Sequence, residues 1–244
     1  MLQRIEEYKE QISRADLLAI ADEAVRELEF GPEGQLVLTE VLMLEHVDRL
    51  ITRRLKLPTF RRWRARHVEL RQAQRDPAYW GIDPDSPVAA LAARLDESDV
   101  ALAVGAGSVK AALFLAAHDW PVLLAGQELR TVESAEARAA AEGLASRFQA
   151  LVVCLGQWFP DVAPSLAVVD TAAIGELDAP TRVRVLDALK QRTPPGGVHC
   201  LMTAKSVRGA IALAPEVLQA HYADWSVRRS RAERPPCWIL ATRP

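Results

Sequence analysis

The stretch from Asp99 to Glu128, DVALAVGAGSVKAALFLAAHDWPVLLAGQE, constrains this chain more than any other. An apolar run, Val100 to Val104, meets Gly105-Ala106-Gly107; a helical run, Lys110 to Ala117, and a second apolar run, Val122 to Ala125, follow. The order predicts strand, tight turn, helix, strand. Such a unit places backbone amides and a helix N-terminus beside a ligand at the carboxyl end of the first strand. It is the opening unit of a nucleotide-binding α/β domain.

The alternation continues beyond it. Strands are expected at Val100–Val104, Val122–Ala125, Ala150–Leu155, Leu166–Asp170 and Val198–Thr203. Helices are expected near Lys110–Ala117, Ser134–Ala145 and Pro180–Gln191. Strands alternating with helices argue a parallel sheet covered on both faces. The end differs: a short helix, Val217–Tyr222, precedes two strands, Trp225–Arg229 and Cys237–Thr242, which read as an antiparallel hairpin on the sheet edge. The tip of that hairpin, Arg228-Arg229-Ser230-Arg231, is either an anion grip or a solvated turn.

Residues 1–80 read as a helical N-terminal segment, 81–98 as a linker with a short helix containing Leu91 and Leu95, and 99–244 as the α/β domain. Ser13 with Asp16 marks a helix start for Arg14 to Phe30, with Leu17, Leu18, Ala21, Ala24, Val25 and Leu28 on one face. Gly31-Pro32-Glu33-Gly34 is a turn. Thr39 caps a second helix to about Leu55, carrying Leu42, Val47, Leu50 and Ile51. Thr59, after Pro58, caps a third, Phe60 to Arg75.

The 244 residues carry a net charge of −2, which argues against a general polyanion binder. No apolar run approaches a membrane span, and Gln3, Glu6, Glu7, Lys9 and Glu10 interrupt any leader at the start. A soluble, cytoplasmic protein is expected. Cys154 and Cys200 lie in apolar, strand-like runs, so buried reduced thiols are expected there. The third cysteine, Cys237, makes the number odd. The five histidines show no metal-ligand spacing, and no metal site is expected. His199 reads as a packed histidine; Trp120, Trp158, Trp225 and Trp238 read as packing for the sheet edges. No catalytic nucleophile stands out.

From residue 99 onward the chain resembles the class I S-adenosylmethionine-dependent methyltransferases, in particular their tellurite-resistance (TehB-type) branch. Ala101-Leu102-Ala103-Val104-Gly105-Ala106-Gly107 stands where the family carries its first glycine motif, and Leu113-Phe114-Leu115-Ala116-Ala117 matches the helix after it. Thr193-Pro194-Pro195-Gly196-Gly197-Val198 is similar to the turn before the family's fifth strand. His221 to Trp225 and Trp238 to Arg243 resemble its closing segment. The resemblance implies a Rossmann-like, mostly parallel seven-stranded sheet. It also implies that Gly105, Ala106, Gly107, Gly126, Gln127, Glu128 and Asp170 would line a cofactor site, if that site is functional.

This sequence departs from the family at the positions that hold the cofactor. Ala103 replaces an acid just before the first glycine, and Val109 replaces the third glycine of the motif. The ribose acid falls at Gly126, the adenine acid has no counterpart in Val153-Cys154-Leu155-Gly156, and the acid opening the fourth strand falls at Leu166. A hydrogen bond to a charged group contributes about 1.5–3 kcal/mol, so losing the ribose carboxylate alone weakens binding by roughly tenfold to a hundredfold. Two residues could compensate. Glu128 is either a solvated acid at a helix start or a shifted ribose ligand, and Asp170 is either a helix cap or a chemical group.

The segment 53–75 is the sharpest charge feature: nine basic residues, Glu69 as its one acid, and Phe60 and Trp63 interleaved. Residues 1–50 hold twelve acids against five bases. Arg61, Arg62, Arg64 and Arg66 are candidate contacts, either for an anion or for acidic helices of this chain or a second copy. Three function readings follow. The chain is a methyltransferase-fold protein with an eroded cofactor site, a non-catalytic binding or assembly protein that docks on a protein partner or its own copy through the N-terminal helices. Alternatively, it is an active small-molecule methyltransferase using S-adenosylmethionine through Glu128 and Asp170. A third reading is a nucleic-acid-binding module using 53–75.

Overall fold

The structure, a computed structural model, describes residues 2–29, 40–94, 99–203, 213–229 and 237–244. The expected turn at 31–34, the Thr39 cap, Phe30, Leu95 and the hairpin tip at Ser230 and Arg231 lie outside those residues. The chain divides into two compact units, Met1–Val68 and Glu69–Pro244.

The first unit contains α1 (Leu2–Gln11), α2 (Arg14–Glu29), α3 (Glu40–Arg54) and the beginning of α4 (Phe60–Gln74). The Ser13 hydroxyl accepts from the Asp16 amide at 3.1 Å and donates to its carboxylate at 2.6 Å, which satisfies a donor that α2 itself cannot. Thr59 starts α4 in the same way, accepting from the Arg62 amide at 3.4 Å. The core is Ile5, Ile20, Ala24, Val47, Leu50 and Ile51. The buried face of α2 is therefore centred on Ile20 and Ala24. Leu18, expected on that face, is 57% exposed, because it falls two residues from Ile20, about 200° around the helix.

The second unit begins inside α4. Gln74 is buried and donates to the Glu142 carbonyl and carboxylate, both at 2.9 Å, and Trp80 donates to the Gln74 carbonyl at 2.7 Å. Arg71, Arg75 and Arg147 converge on Asp119. Burial works against that charge, but the Arg71 hydrogen bond and the three guanidinium charges outweigh it and hold the Asp119 carboxyl below its ordinary range. Asp76 caps a short 3-10 turn, Pro77–Trp80, and Ser86 caps α5 (Pro87–Ala92), whose Val88 enters the sheet core. Residues 69–94 thus pack with the α/β unit.

The sheet has seven strands: β1 (Ala101–Val104), β2 (Val122–Gly126), β3 (Phe148–Val152), β4 (Leu166–Asp170), β5 (Val198–Thr203), β6 (Ser226–Arg229) and β7 (Cys237–Thr242). Their order is β3-β2-β1-β4-β5-β7-β6, parallel from β3 to β5; β7 pairs antiparallel with β5, and β6 with β7. The order reverses between β1 and β4, the position where open α/β sheets bind ligands. Successive side chains alternate between two cores. Ala101, Ala103, Leu166 and Val168 face one core with α6 (Val109–Ala117) and α7 (Leu129–Ala141). Leu102, Val104, Ala167 and Val169 face the other, with α8 (Thr171–Gly175), α9 (Ala179–Arg192) and α10 (Pro215–His221).

Several boundaries differ from expectation. β3 starts at Phe148 and ends at Val152, two to three residues early, so Cys154 lies beyond the strand and is exposed rather than buried. Trp158 is 53% exposed and packs no edge. Both follow from one fact: residues 153–165 join β3 to β4 with no helix, so the loop runs over the surface. α7 begins at Leu129, five residues before the expected Ser134, because Glu128 supplies the extended cap conformation. Cys200 is fully buried, which pushes its thiol up to about 12, and Trp120, Trp225 and Trp238 are buried.

His199 is wholly inside. One ring nitrogen meets the Thr193 hydroxyl at 2.7 Å and the other the Tyr222 hydroxyl at 2.8 Å. Burial, reinforced by the charge of Lys190, pushes its pKa down to about 3, so the ring is neutral and fully hydrogen-bonded. It is a packed core histidine. No helix among the described residues is long and apolar enough to cross a membrane, and no group of His, Cys, Asp and Glu among them could hold a metal ion.

Candidate functional site

The glycine turn forms where β1 must stop. Gly105 has φ +88°, a conformation that a residue with a Cβ adopts only at a cost, and its amide still pairs with the Ala125 carbonyl at 3.0 Å. A short 3-10 turn, Ala106–Ser108, then leads into α6. The Ser108 hydroxyl donates back to the Gly105 carbonyl at 2.6 Å and closes the turn on itself.

Register carries Asp170 to this turn. β1 and β4 are neighbours, with Val104 opposite Val169, so the next residue of β4 stands beside Gly105. The Asp170 carboxylate uses both oxygens. One accepts from the Ala172 amide at 3.0 Å and caps α8; the other accepts from the Gly107 amide at 2.9 Å. Asp170 is 93% buried, its exposure being 7%. A side chain is thus bonded to the backbone donor that a turn of this kind presents to an anionic or polar ligand.

The two glycines are explained by this internal packing. A Cβ on Gly107 would lie 2.5 Å from an Asp170 oxygen and 2.8 Å from the Met202 methyl; one on Gly105 would lie 2.7 Å from the Ala173 Cβ and 3.0 Å from the Asp170 Cβ. Gly126 ends β2 and is buried. A Cβ there would lie 2.9 Å from a Val132 methyl, so a side chain at the position of the family's ribose acid requires Val132 to give way. Gln127 is exposed, as are Ala106 and Glu128. Glu128 caps α7 through its backbone, and its carboxylate takes a 3.5 Å contact from Thr131 of the same helix. Past β3, Val153 and Leu155 are buried apolar residues and no charge replaces the adenine acid. Cavities of about 550 and 620 Å³ open at the amino-terminal ends of the strands, beside Leu166 and Val198 and beside Val122 and Phe148, the end remote from the glycine turn.

The structure therefore brings Asp170 together with Gly105, Ala106 and Gly107, and leaves Gln127 and Glu128 on the surface of the next crossover. Met202 is a contact that sequence reasoning missed: it lies in β5, and only sheet order shows that β5 reaches the turn from across β4. The residues present do not fit S-adenosylmethionine as the family would hold it. Gly126 supplies no ribose acid, the adenine position is uncharged, and the turn amide is already bonded.

The basic candidates lie on α4. Arg61, Arg62, Arg64 and Arg66 are all exposed and make no ion pair among the described residues. The acidic helix α2 is instead met by α3: Arg53 pairs with Glu27 at 2.6 Å, and Arg54 pairs with Glu23. The expected docking of basic on acidic helices is realised one helix earlier than the four arginines.

No protein-family model matches the chain, and no curated protein matches it in sequence. Solved structures do match in fold. The glycopeptide N-methyltransferase MtfA, in a complex with sinefungin, aligns with TM-score 0.52 at 17% identity, over 66% of this chain and 87% of its own. The N-methyltransferase NodS from Bradyrhizobium japonicum WM9 aligns with TM-score 0.50 at 16% identity, over 77% and 99%. TehB from Haemophilus influenzae aligns with TM-score 0.47 at 13% identity, over 61% and 59%. The fold is that of the class I methyltransferases.

Proposed function

We propose that this chain is a non-catalytic member of the methyltransferase fold, acting by binding a macromolecular partner or its own copy. The observation that carries the reading is the Asp170–Gly107 bond. A ligand engaging that amide must displace a 93% buried carboxylate that also caps α8. Gly126 supports the same reading, since it carries no carboxylate for ribose and a Cβ there would lie 2.9 Å from a Val132 methyl. Isothermal titration of the full chain with S-adenosylmethionine and S-adenosylhomocysteine tests it. No binding heat is expected; dissociation constants in the low micromolar range would overturn the proposal.

A second reading has one observation in its favour. Asp170 is an acid at the turn, where a reorganised site of an active small-molecule methyltransferase would need one. That reading requires the same titration to show binding, and it requires Asp170→Asn to weaken that binding.

A further inference from the structure

We infer that the amino-terminal half of α4 binds single-stranded nucleic acid. Phe60, Trp63 and His67 stand at i, i+3 and i+7, and at about 100° per residue they fall within one stripe about 60° wide. Their rings form a ladder. Phe60 and Trp63 have centroids 5.8 Å apart and planes 25° apart; for Trp63 and His67 the values are 5.3 Å and 10°. Phe60 remains 63% exposed and Trp63 42%. Gln74, further along the same side of the helix, is buried, whereas Phe60 and Trp63 are exposed.

The charges are arranged around this stripe. Arg64 projects about 40° to one side of Phe60, and Arg66 about 60° to the other side of Trp63. Arg61 and Arg62 extend the positive surface further round the helix. Among the described residues Arg61, Arg62, Arg64 and Arg66 form no ion pair, and Glu23 and Glu27 of α2 are held by Arg54 and Arg53. A net charge of −2 conceals this, because all but one of the acids that balance it lie outside α4.

Guanidinium forks match phosphate oxygens, and the exposed rings of Phe60 and Trp63 offer aromatic surface to unstacked bases. An acidic peptide would satisfy the arginines and leave the ladder unused; a duplex offers phosphates but keeps its bases stacked. A flexible single strand satisfies both. This inference is independent of whether the glycine turn binds a cofactor, since no residue is shared.

The test is fluorescence anisotropy of the full chain with a fluorescein-labelled oligouridylate of about 12 nucleotides. Four phosphate contacts give a slope of log affinity on log salt of about −2.8, or about 50-fold weaker binding from roughly 50 to 200 mM salt. Replacing Arg61, Arg62, Arg64 and Arg66 together by Ala is expected to abolish that slope, and replacing them by Lys to preserve it. Trp63→Ala is expected to weaken binding about 5- to 150-fold with the slope unchanged. Far-UV circular dichroism checks that these surface variants keep their helices. No anisotropy change at the lower salt overturns the inference; so does a slope that survives the quadruple Ala variant, or a Trp63→Ala variant that binds as tightly as the parent. Competition by oligoglutamate as strong as by unlabelled oligouridylate also overturns it, because the surface would then be reading charge alone.

Discussion

Acidifying the solution should destabilise this protein through His199. The folded pKa is about 3, whereas a free imidazole titrates near 6.5. A lowered histidine pKa gives stability that is complete above the unfolded value and is lost as pH falls toward the folded one. Between those values the unfolded chain takes up a proton that the folded chain refuses, so stability falls by about 1.4 kcal/mol per pH unit. From about pH 7 to pH 4.5 this amounts to about 2.5 kcal/mol, a large share of a typical folding free energy. The structural cause is the full burial of the ring between Thr193 and Tyr222, where neither nitrogen can take up a proton without losing its partner or its neutrality. His118 and His221 are also held low, chiefly by burial, so the parent chain alone would sum three imidazoles. The assay is therefore a comparison: urea unfolding of the parent and of His199→Gln at several pH values across that range. Gln retains a donor and an acceptor but does not titrate. The variant is expected to be less stable at pH 7 and to close the gap by about 2.5 kcal/mol on reaching pH 4.5. A gap independent of pH would refute the reasoning.

Two further expectations follow from the packing. Gly105→Ala should cost about 2–4 kcal/mol, because it combines a φ of +88° with a Cβ 2.7 Å from Ala173. Gly143→Ala has φ +71° but open space around it, so about 1 kcal/mol is expected; thermal unfolding of the two variants separates overlap from strain. Alkylation of the native chain followed by peptide mass mapping should label Cys154, which is exposed, and spare Cys200, which is buried with its thiol pushed up to about 12. Equal labelling of the two would show that the Cys200 environment opens readily.

The sheet was legible because its signals are local. β4 and β5 begin and end where their apolar runs do, and Ser13 and Thr59 cap the helices that follow them. β3 was displaced because Val153 and Leu155 are apolar without being strand: they are buried by a loop that replaces the crossover helix. The arginine pairing was legible only in part, for a related reason. Sequence shows that acidic helices precede a basic segment, but not that Arg53 and Arg54 reach α2 first.

At the site itself, the residues alone determined what was missing. Ala103, Gly126 and Leu166 carry no charge whatever the chain does in space, and Gly105 and Gly107 announce a turn by chemistry alone. Only the tertiary structure decided what stands in place of a ligand. Asp170 is 63 residues from Gly107, and nothing between them encodes their meeting except the parallel pairing of β1 with β4. Hydrophobic period and capping act over a few residues, whereas the choice of partner for a backbone amide depends on which strands lie side by side.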